Sequence, residues 1–184
     1  MTLSMLLTLA AGIFTWTLVE YVFHRWLGHD PRFRPNFFGK EHIRHHSKGD
    51  YFTPFRVKLM QATVVGALLT LPAALIGGWA HGGLFVLGLV GMYLVYEVCH
   101  YYAHVSAGHG PYGRWMRRHH FYHHFENPKV NHGVTSPFWD LVFGTYRTVE
   151  TVRVPRRLKM RWLTDPGSGE VWPQLQKTYT VYGR

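Results

Sequence analysis

The chain has little of the chemistry that would crosslink a small secreted protein or build a thiolate metal site. It contains one cysteine, Cys99, in 184 residues, which excludes an intrachain disulfide and a thiolate-rich metal site. Acidic residues are also scarce, ten against twenty Lys and Arg. Histidine, with fourteen copies, is therefore the abundant side chain that can bind a transition metal.

Formal charge is missing from two long stretches. Residues 1–19 and 59–96 contain no Asp, Glu, Lys or Arg. About 20 apolar helical residues cross the hydrocarbon layer of a bilayer, which is roughly 30 Å thick. We expect a transmembrane helix at about 3–23 and a helical hairpin with arms at about 57–78 and 83–104, joined by the turn-like stretch GGWAHGG.

The formal net charge of +10 is concentrated in two blocks. All Lys and Arg lie in Arg25–Lys58 and Arg114–Arg184. Alternation of apolar and basic blocks is typical of a membrane protein, and because no nucleic-acid-binding motif appears we expect no nucleic-acid partner. A hairpin returns the chain to the side it left, so the positive-inside rule predicts both blocks and the C-terminus to be cytoplasmic and the N-terminus outside. A basic tail, 151–184, would then lie on anionic lipid headgroups.

Ten histidines recur at spacings typical of metal ligands. Two triplets have the spacing i, i+3, i+4 and one pair the spacing i, i+4, so each set shares a helix face; one further pair is five apart and would not share a face of an ideal α-helix. One first-row metal with nitrogen ligands takes four to six donors, so ten indicate two metals with about five each. The ten are His24, His29, His42, His45, His46, His100, His104, His120, His123 and His124.

Five further residues are candidates for orienting a ligand or contacting substrate: Glu97, His119, Asn131, His132 and Gly133. Glu97 precedes His100 by one helical turn and would accept its ring N–H, or else is a buried polar group of the bundle. His119 is either such a residue or a surface residue, and His132 either a plain loop residue or part of the substrate site. His81 and His109 lie outside the pattern: His81 is expected at the membrane interface, in the turn of the hairpin, and His109 is either a supporting residue or a surface residue.

Three classes of function remain open on these residues: a lipid mono-oxygenase, a metal transporter and a haem-binding electron carrier. A transporter needs polar residues at the bilayer midplane, and 59–96 offers almost none. A haem carrier needs paired histidines that face each other across the membrane bundle rather than clusters outside it. The mono-oxygenase is therefore the leading hypothesis.

The sequence resembles the membrane fatty acid hydroxylase/sterol desaturase superfamily, and most closely its fatty acid 2-hydroxylase branch. The likeness covers about Phe14–Val149. It is carried by the segments EYVFHRWLGH, HIRHHSKGDY, YEVCHYYAH, HHFYHHF and GVTSPFWDLVFGTY. The ten histidines match the family's ligand positions one by one, with His120 rather than His119 opening the last cluster.

The resemblance implies an all-α integral membrane protein that forms a single domain, 1–184. About three transmembrane helices would carry a cytosolic, histidine-rich helical cap, 24–56 and 105–150, that holds a dimetal site. It further implies two iron ions (zinc being the alternative in purified protein), O2 as co-substrate, and a membrane lipid as the molecule oxidised.

The expected reaction is oxygen insertion into a C–H bond of a fatty acid or acyl lipid. Sterol or carotenoid hydroxylation and lipid desaturation are the alternatives within the superfamily. The cytochrome b5-like domain of some relatives is not found in this sequence, so we expect electrons from a separate cytochrome b5-like protein or ferredoxin. His132 stands where the fatty acid 2-hydroxylases usually carry an apolar residue, a departure that bears on the substrate.

Overall fold

The structure is a computed structural model that describes residues 1–183. It is mostly helical, as predicted, but not entirely so, because two short strands lie near the C-terminus. The chain divides into two compact units, one of Met1–Glu20 with Thr53–Val98 and one of Tyr21–Phe52 with the chain from Cys99 onward. The elements are α1 Leu3–Val22, α2 Phe37–Lys48, α3 Phe55–Val105, α4 Gly110–Phe125, α5 Phe138–Val142, β1 Val152–Pro155 and β2 Tyr179–Tyr182.

Helix α1 does not end in an ordinary turn. It continues as a π-helix over Phe23–His29, and the two together form an apolar helix long enough to cross a membrane. A π-helix bonds each residue to the fifth one along, so residues five apart return to one side. His24 and His29 therefore share a face, with ring centroids 5.3 Å apart, and the expectation that they could not was wrong.

Helix α3 reverses direction at a single residue, Gly78. Its φ of 77° and ψ of 161° are accessible to glycine alone among the common residues. The two arms then run side by side: a Cβ at Gly82 would lie 2.5 Å from the backbone of Ala73 and Ala74. The chain thus folds back within the predicted seven-residue turn, but most of that stretch remains helical. Helix α3 is the second helix long and apolar enough to cross a membrane, and the number of crossings stays a prediction.

Close glycine contacts pack α1 against the second arm of α3. A Cβ at Gly12 would lie 2.1 Å from the carbonyl oxygen of Phe85, and one at Gly88 would lie 2.3 Å from that of Leu9. Small residues let apolar helices approach closely where no hydrophobic driving force between helices exists. At the other end of the hairpin, Lys58 and Glu97 form a partly buried ion pair.

The second unit contains most of the predicted cap, residues 24–52 and 105–150, together with the last residues of α3 and the predicted basic tail. Helix α2 is delimited by its caps: Asn36 accepts a hydrogen bond of 2.7 Å from the N–H of Gly39, and Gly49, with φ of 70°, ends it. The proline-rich stretch before it breaks the helix as predicted.

Residues 151–183 are a folded lobe rather than an unstructured tail. Strands β1 and β2 pair in parallel, with Val152 opposite Tyr179. Side chains of the lobe form a buried apolar core with Phe121 of α4. Contact of the lobe with lipid headgroups stays a prediction.

Candidate metal centre

The structure brings the ten predicted histidines together in two groups of five. Within each group the nearest ring nitrogens all lie within 4.8 Å of one another. The first group is His24, His29, His42, His46 and His123, and the second group is His45, His100, His104, His120 and His124.

Each histidine triplet is divided between the two groups in the same way. Residues i and i+4 lie about 40° apart around a helix, whereas i+3 and i+4 lie about 100° apart. On α2, His42 and His46 join the first group and His45 joins the second. On α4 the assignment is exchanged, since His120 and His124 join the second group and the middle histidine joins the first.

The two groups are in contact, most closely through the rings of His46 and His124. The imidazoles of His46 and His124 are stacked, with centroids 3.9 Å apart and planes 5° apart. The groups are thus neighbours rather than separate sites, which is the arrangement that a two-metal centre requires.

Backbone carbonyls fix which ring nitrogen carries the proton. Nδ1–H of His45 donates to the carbonyl of Tyr51 and Nδ1–H of His123 donates to that of Val130, each at 2.8 Å. The Nδ1 of His24 likewise donates to the carbonyl of His132. Because a carbonyl can only accept, the proton lies on Nδ1 and the Nε2 lone pair is left for a metal.

Within each group, Nε2 atoms lie so close together that their lone pairs would repel one another if no cation were bound between them. The Nε2 of His29 lies 2.8 Å from that of His42 and 2.9 Å from that of His123, and one proton cannot bridge both pairs. In the second group the His45–His100 and His104–His120 pairs are each 3.0 Å apart. Two ligands at a right angle, each about 2.1 Å from an ion, would be separated by about 3.0 Å. The nitrogens therefore fit a bound cation in each group.

Burial and electrostatics keep these rings in the metal-binding form. Burial, and then the charge of neighbouring histidines, lowers the pKa of His42, His46 and His120 well below 6.5. The imidazoles are consequently neutral at pH 7 and available as ligands. Three buried Nε2 atoms, those of His24, His46 and His124, have no hydrogen-bond partner among the described residues, an arrangement that a metal ligand explains.

Asp140 is a supporting residue that sequence reasoning missed. Its carboxylate is fully buried and accepts four hydrogen bonds, from the N–H groups of His132 and Gly133 (2.8 Å each), from the Thr145 hydroxyl (2.7 Å) and from Nε2 of His119 (3.3 Å). Burial alone would raise the pKa of Asp140, but these bonds lower it to about 2. A lone acidic residue inside the aromatic segment PFWDLVFG was the available signal, because a buried carboxylate must be paired.

The loop candidates form the connection between Asp140 and the first group. Asn131 has a φ of 57°, and its side-chain oxygen accepts a hydrogen bond of 2.7 Å from the N–H of Arg147. A Cβ at Gly133 would lie 2.1 Å from a backbone oxygen, so only glycine fits there. The ring of His132 packs on that of His24 at 5.5 Å, and its carbonyl receives the His24 proton. The loop thus orients His24, a member of the first group; its contact with a substrate stays a prediction.

The remaining candidates are not members of the two groups. Glu97 pairs with Lys58, and its action on His100 stays a prediction. His119 is fully buried beside Asp140, which excludes the surface alternative. His109 is exposed, which agrees with the surface alternative, and His81 is half-buried within the second arm of α3.

Comparison with known proteins identifies the family. A family model described as fatty acid hydroxylase matches residues 9–145. A ceramide very long chain fatty acid hydroxylase of Saccharomyces cerevisiae is 36% identical over 143 residues, and a fatty acid 2-hydroxylase of Rattus norvegicus is 36% identical over 142. Each alignment covers 73% of this chain, but only 36% and 38% of the respective relative's length.

A solved structure supports the same assignment. Full-length scs7p, of which only the hydroxylase domain is visible, matches with a TM-score of 0.62 and 27% identity over 78% of this chain and 56% of that one. The predicted resemblance is confirmed. The chain belongs to the fatty acid hydroxylase family.

Proposed function

We propose that the protein is an O2-dependent di-iron hydroxylase that inserts one oxygen atom into a C–H bond of a fatty acyl chain. The observation that carries the proposal is the pair of five-histidine groups in a chain of this family. The relatives named above are hydroxylases of fatty acids or ceramide acyl chains, which makes an acyl chain the first substrate to test.

Iron bound by the two groups would supply the activation of O2 that an unactivated C–H bond requires. The balanced reaction takes R–H, O2, two electrons and two protons to R–OH and water. The electrons would come from a separate protein, a cytochrome b5-like carrier or a ferredoxin.

The protein's own part is to hold neutral imidazoles in fixed orientations. The carbonyls of Tyr51, Val130 and His132 set the ring protons on Nδ1, and Asp140 holds the peptide that carries the His132 carbonyl by accepting a hydrogen bond from the N–H of Gly133. Full burial of His123 and near-full burial of His120 (1% exposed) keep bulk water from competing for the metals. The loop 131–133 would shape the site in which the acyl methylene is positioned.

The two apolar helices support the assignment of the protein to a membrane. Helices α1 and α3 have the length and composition to cross a bilayer, and lipid hydroxylation requires access to an acyl chain. Three crossings, with the N-terminus outside and the histidine groups on the cytoplasmic side, are the topology we propose from the charge distribution.

The test is lipid mass spectrometry of cells that express the protein. Wild type should add 16 mass units to an acyl chain, with fragmentation placing the hydroxyl group, and His46→Ala or His124→Ala should abolish the product. His109→Ala is the matched control, because His109 is exposed and lies outside both groups. A loss of 2 mass units would indicate desaturation instead, and an unchanged product with either alanine variant would refute the proposal.

A further inference from the structure

The C-terminal lobe, residues 151–183, lies beyond the segment 9–145 that the family model matches. It is nonetheless joined to the metal centre. Its core is formed by Val152, Val154, Met160, Leu163, Val171 and Tyr179, packed on Phe121 of α4. Phe121 is completely buried and directly follows His120 in the sequence.

Phe121 of helix α4 contacts both the lobe and the second group. The Phe121 ring belongs to the core of the lobe, and its other contacts are with the second group: the centroid lies 5.0 Å from that of His104, 5.6 Å from that of His120 and 6.2 Å from that of His124. No ring contact of Phe121 with the first group occurs within residues 1–183. The ring through which the lobe packs on α4 thus contacts the second group.

A hydrogen bond makes a second connection at the end of α3. Nε1–H of Trp162 in the lobe donates to the carbonyl oxygen of His104 at 2.9 Å. His104 is the penultimate residue of α3, where carbonyls have no donor within the helix. The neighbouring carbonyls of Tyr102 and Ser106 are bonded in the same manner by the buried Arg117 of α4, at 2.6 Å each. Trp162 is the donor that the lobe contributes to this set.

The indole ring is fixed on its other sides by the lobe and by α4. Its centroid lies 5.8 Å from that of Tyr179, edge to face, and 6.1 Å from that of Phe121. A donor held this rigidly restrains the backbone of His104, and hence the direction of its imidazole.

We propose that the C-terminal lobe holds the second histidine group in position. Trp162 is the positioning residue, which acts through the backbone of His104. The proposal rests on the two-metal centre proposed above. The role of residues 151–183 is then to retain one metal, the one bound by the second group.

The experiment measures metal release. Wild-type protein loaded with two equivalents of Co²⁺ is mixed with excess chelator, and the release of each ion and the cobalt absorption spectrum are followed. The variant Trp162→Phe keeps an aromatic ring but removes the N–H, leaving the His104 carbonyl without its donor. We expect one ion to dissociate roughly tenfold faster, the other to be unchanged, and the spectrum of the faster ion alone to shift.

Trp172→Phe is the matched control. Trp172 is a half-buried tryptophan of the same lobe that follows the core residue Val171. The same chemical change there should leave both release rates at the wild-type values. If Trp162→Phe does not fold, incorporation of 3-benzothienylalanine at position 162 keeps the two-ring shape and replaces the N–H by sulfur.

Two outcomes would overturn the inference alone: unchanged release of both ions, or equal acceleration of both, which would indicate general loosening. Wild-type protein that cannot hold two ions would instead overturn the two-metal centre and this inference with it. The two failures are therefore distinguishable in one set of measurements.

Discussion

Replacement of Asp140 by asparagine should weaken the metal centre without changing the size of any side chain near it. The carboxylate oxygen Oδ1 accepts hydrogen bonds from His132 and Thr145, and Oδ2 accepts them from Gly133 and His119. An asparagine has a single side-chain oxygen. If that oxygen stays toward His132 and Thr145, the NH2 group points toward Gly133 and His119. The imidazole can exchange its ring proton and accept, but the N–H of Gly133 cannot.

In the variant the buried N–H of Gly133 therefore faces the NH2 group of the asparagine and has no acceptor. Such an unsatisfied group costs about 1–3 kcal/mol, and 2 kcal/mol corresponds to a change of about 30-fold in an equilibrium constant. Because the displaced peptide carries the His132 carbonyl that orients His24, part of this cost should appear as weaker metal binding to the first group.

The assay is metal content after dialysis against a weak chelator, together with the unfolding midpoint in detergent. Asp50→Asn is the control, because Asp50 is exposed and undergoes the same change of charge. Asp140→Asn protein with the metal content and midpoint of wild type would refute the reasoning that this carboxylate supports the site.

Three further predictions concern packing and charge. Gly88→Ala should destabilise the protein by about 1–3 kcal/mol in thermal unfolding, because its Cβ would lie 2.3 Å from the Leu9 carbonyl, whereas Gly91→Ala, with open space around it, should not. Lys58→Met should cost about 1–3 kcal/mol by removing the cation that pairs with the partly buried Glu97 carboxylate, and adding Glu97→Gln should recover part of that loss in a double-mutant cycle. Removal of metal by a strong chelator should lower the unfolding midpoint, because the convergent Nε2 lone pairs then repel one another, and re-addition of Fe²⁺ should restore it.

The grouping of eight of the ten histidines could be predicted because local spacing places i, i+3 and i+4 on one helix face. The division of each triplet between the groups could not, since it depends on the direction from which the other helices approach. His45 and His46 are adjacent in sequence yet belong to different groups. That choice is made by tertiary packing and has no local signature.

Other features were missed because the sequence rules assume regular helices and exposed tails. The π-helix at Phe23–His29 brings His24 and His29 together against the α-helical angle. The folded lobe is held by a few scattered apolar residues, such as Val152 and Leu163, within a basic segment whose composition pointed to a surface tail. Gly78, in contrast, lay within the predicted turn, because a glycine-rich stretch between apolar runs is a direct signal of reversal.

The number of metal ions that one chain retains tests the proposed centre most directly. Purified protein should be saturated with Fe²⁺ under exclusion of oxygen, freed of loosely bound metal and analysed by mass spectrometry of the elements. Five nitrogen ligands in each of two neighbouring groups predict two iron ions per chain. A ratio of one or less at saturation would contradict the two-metal centre.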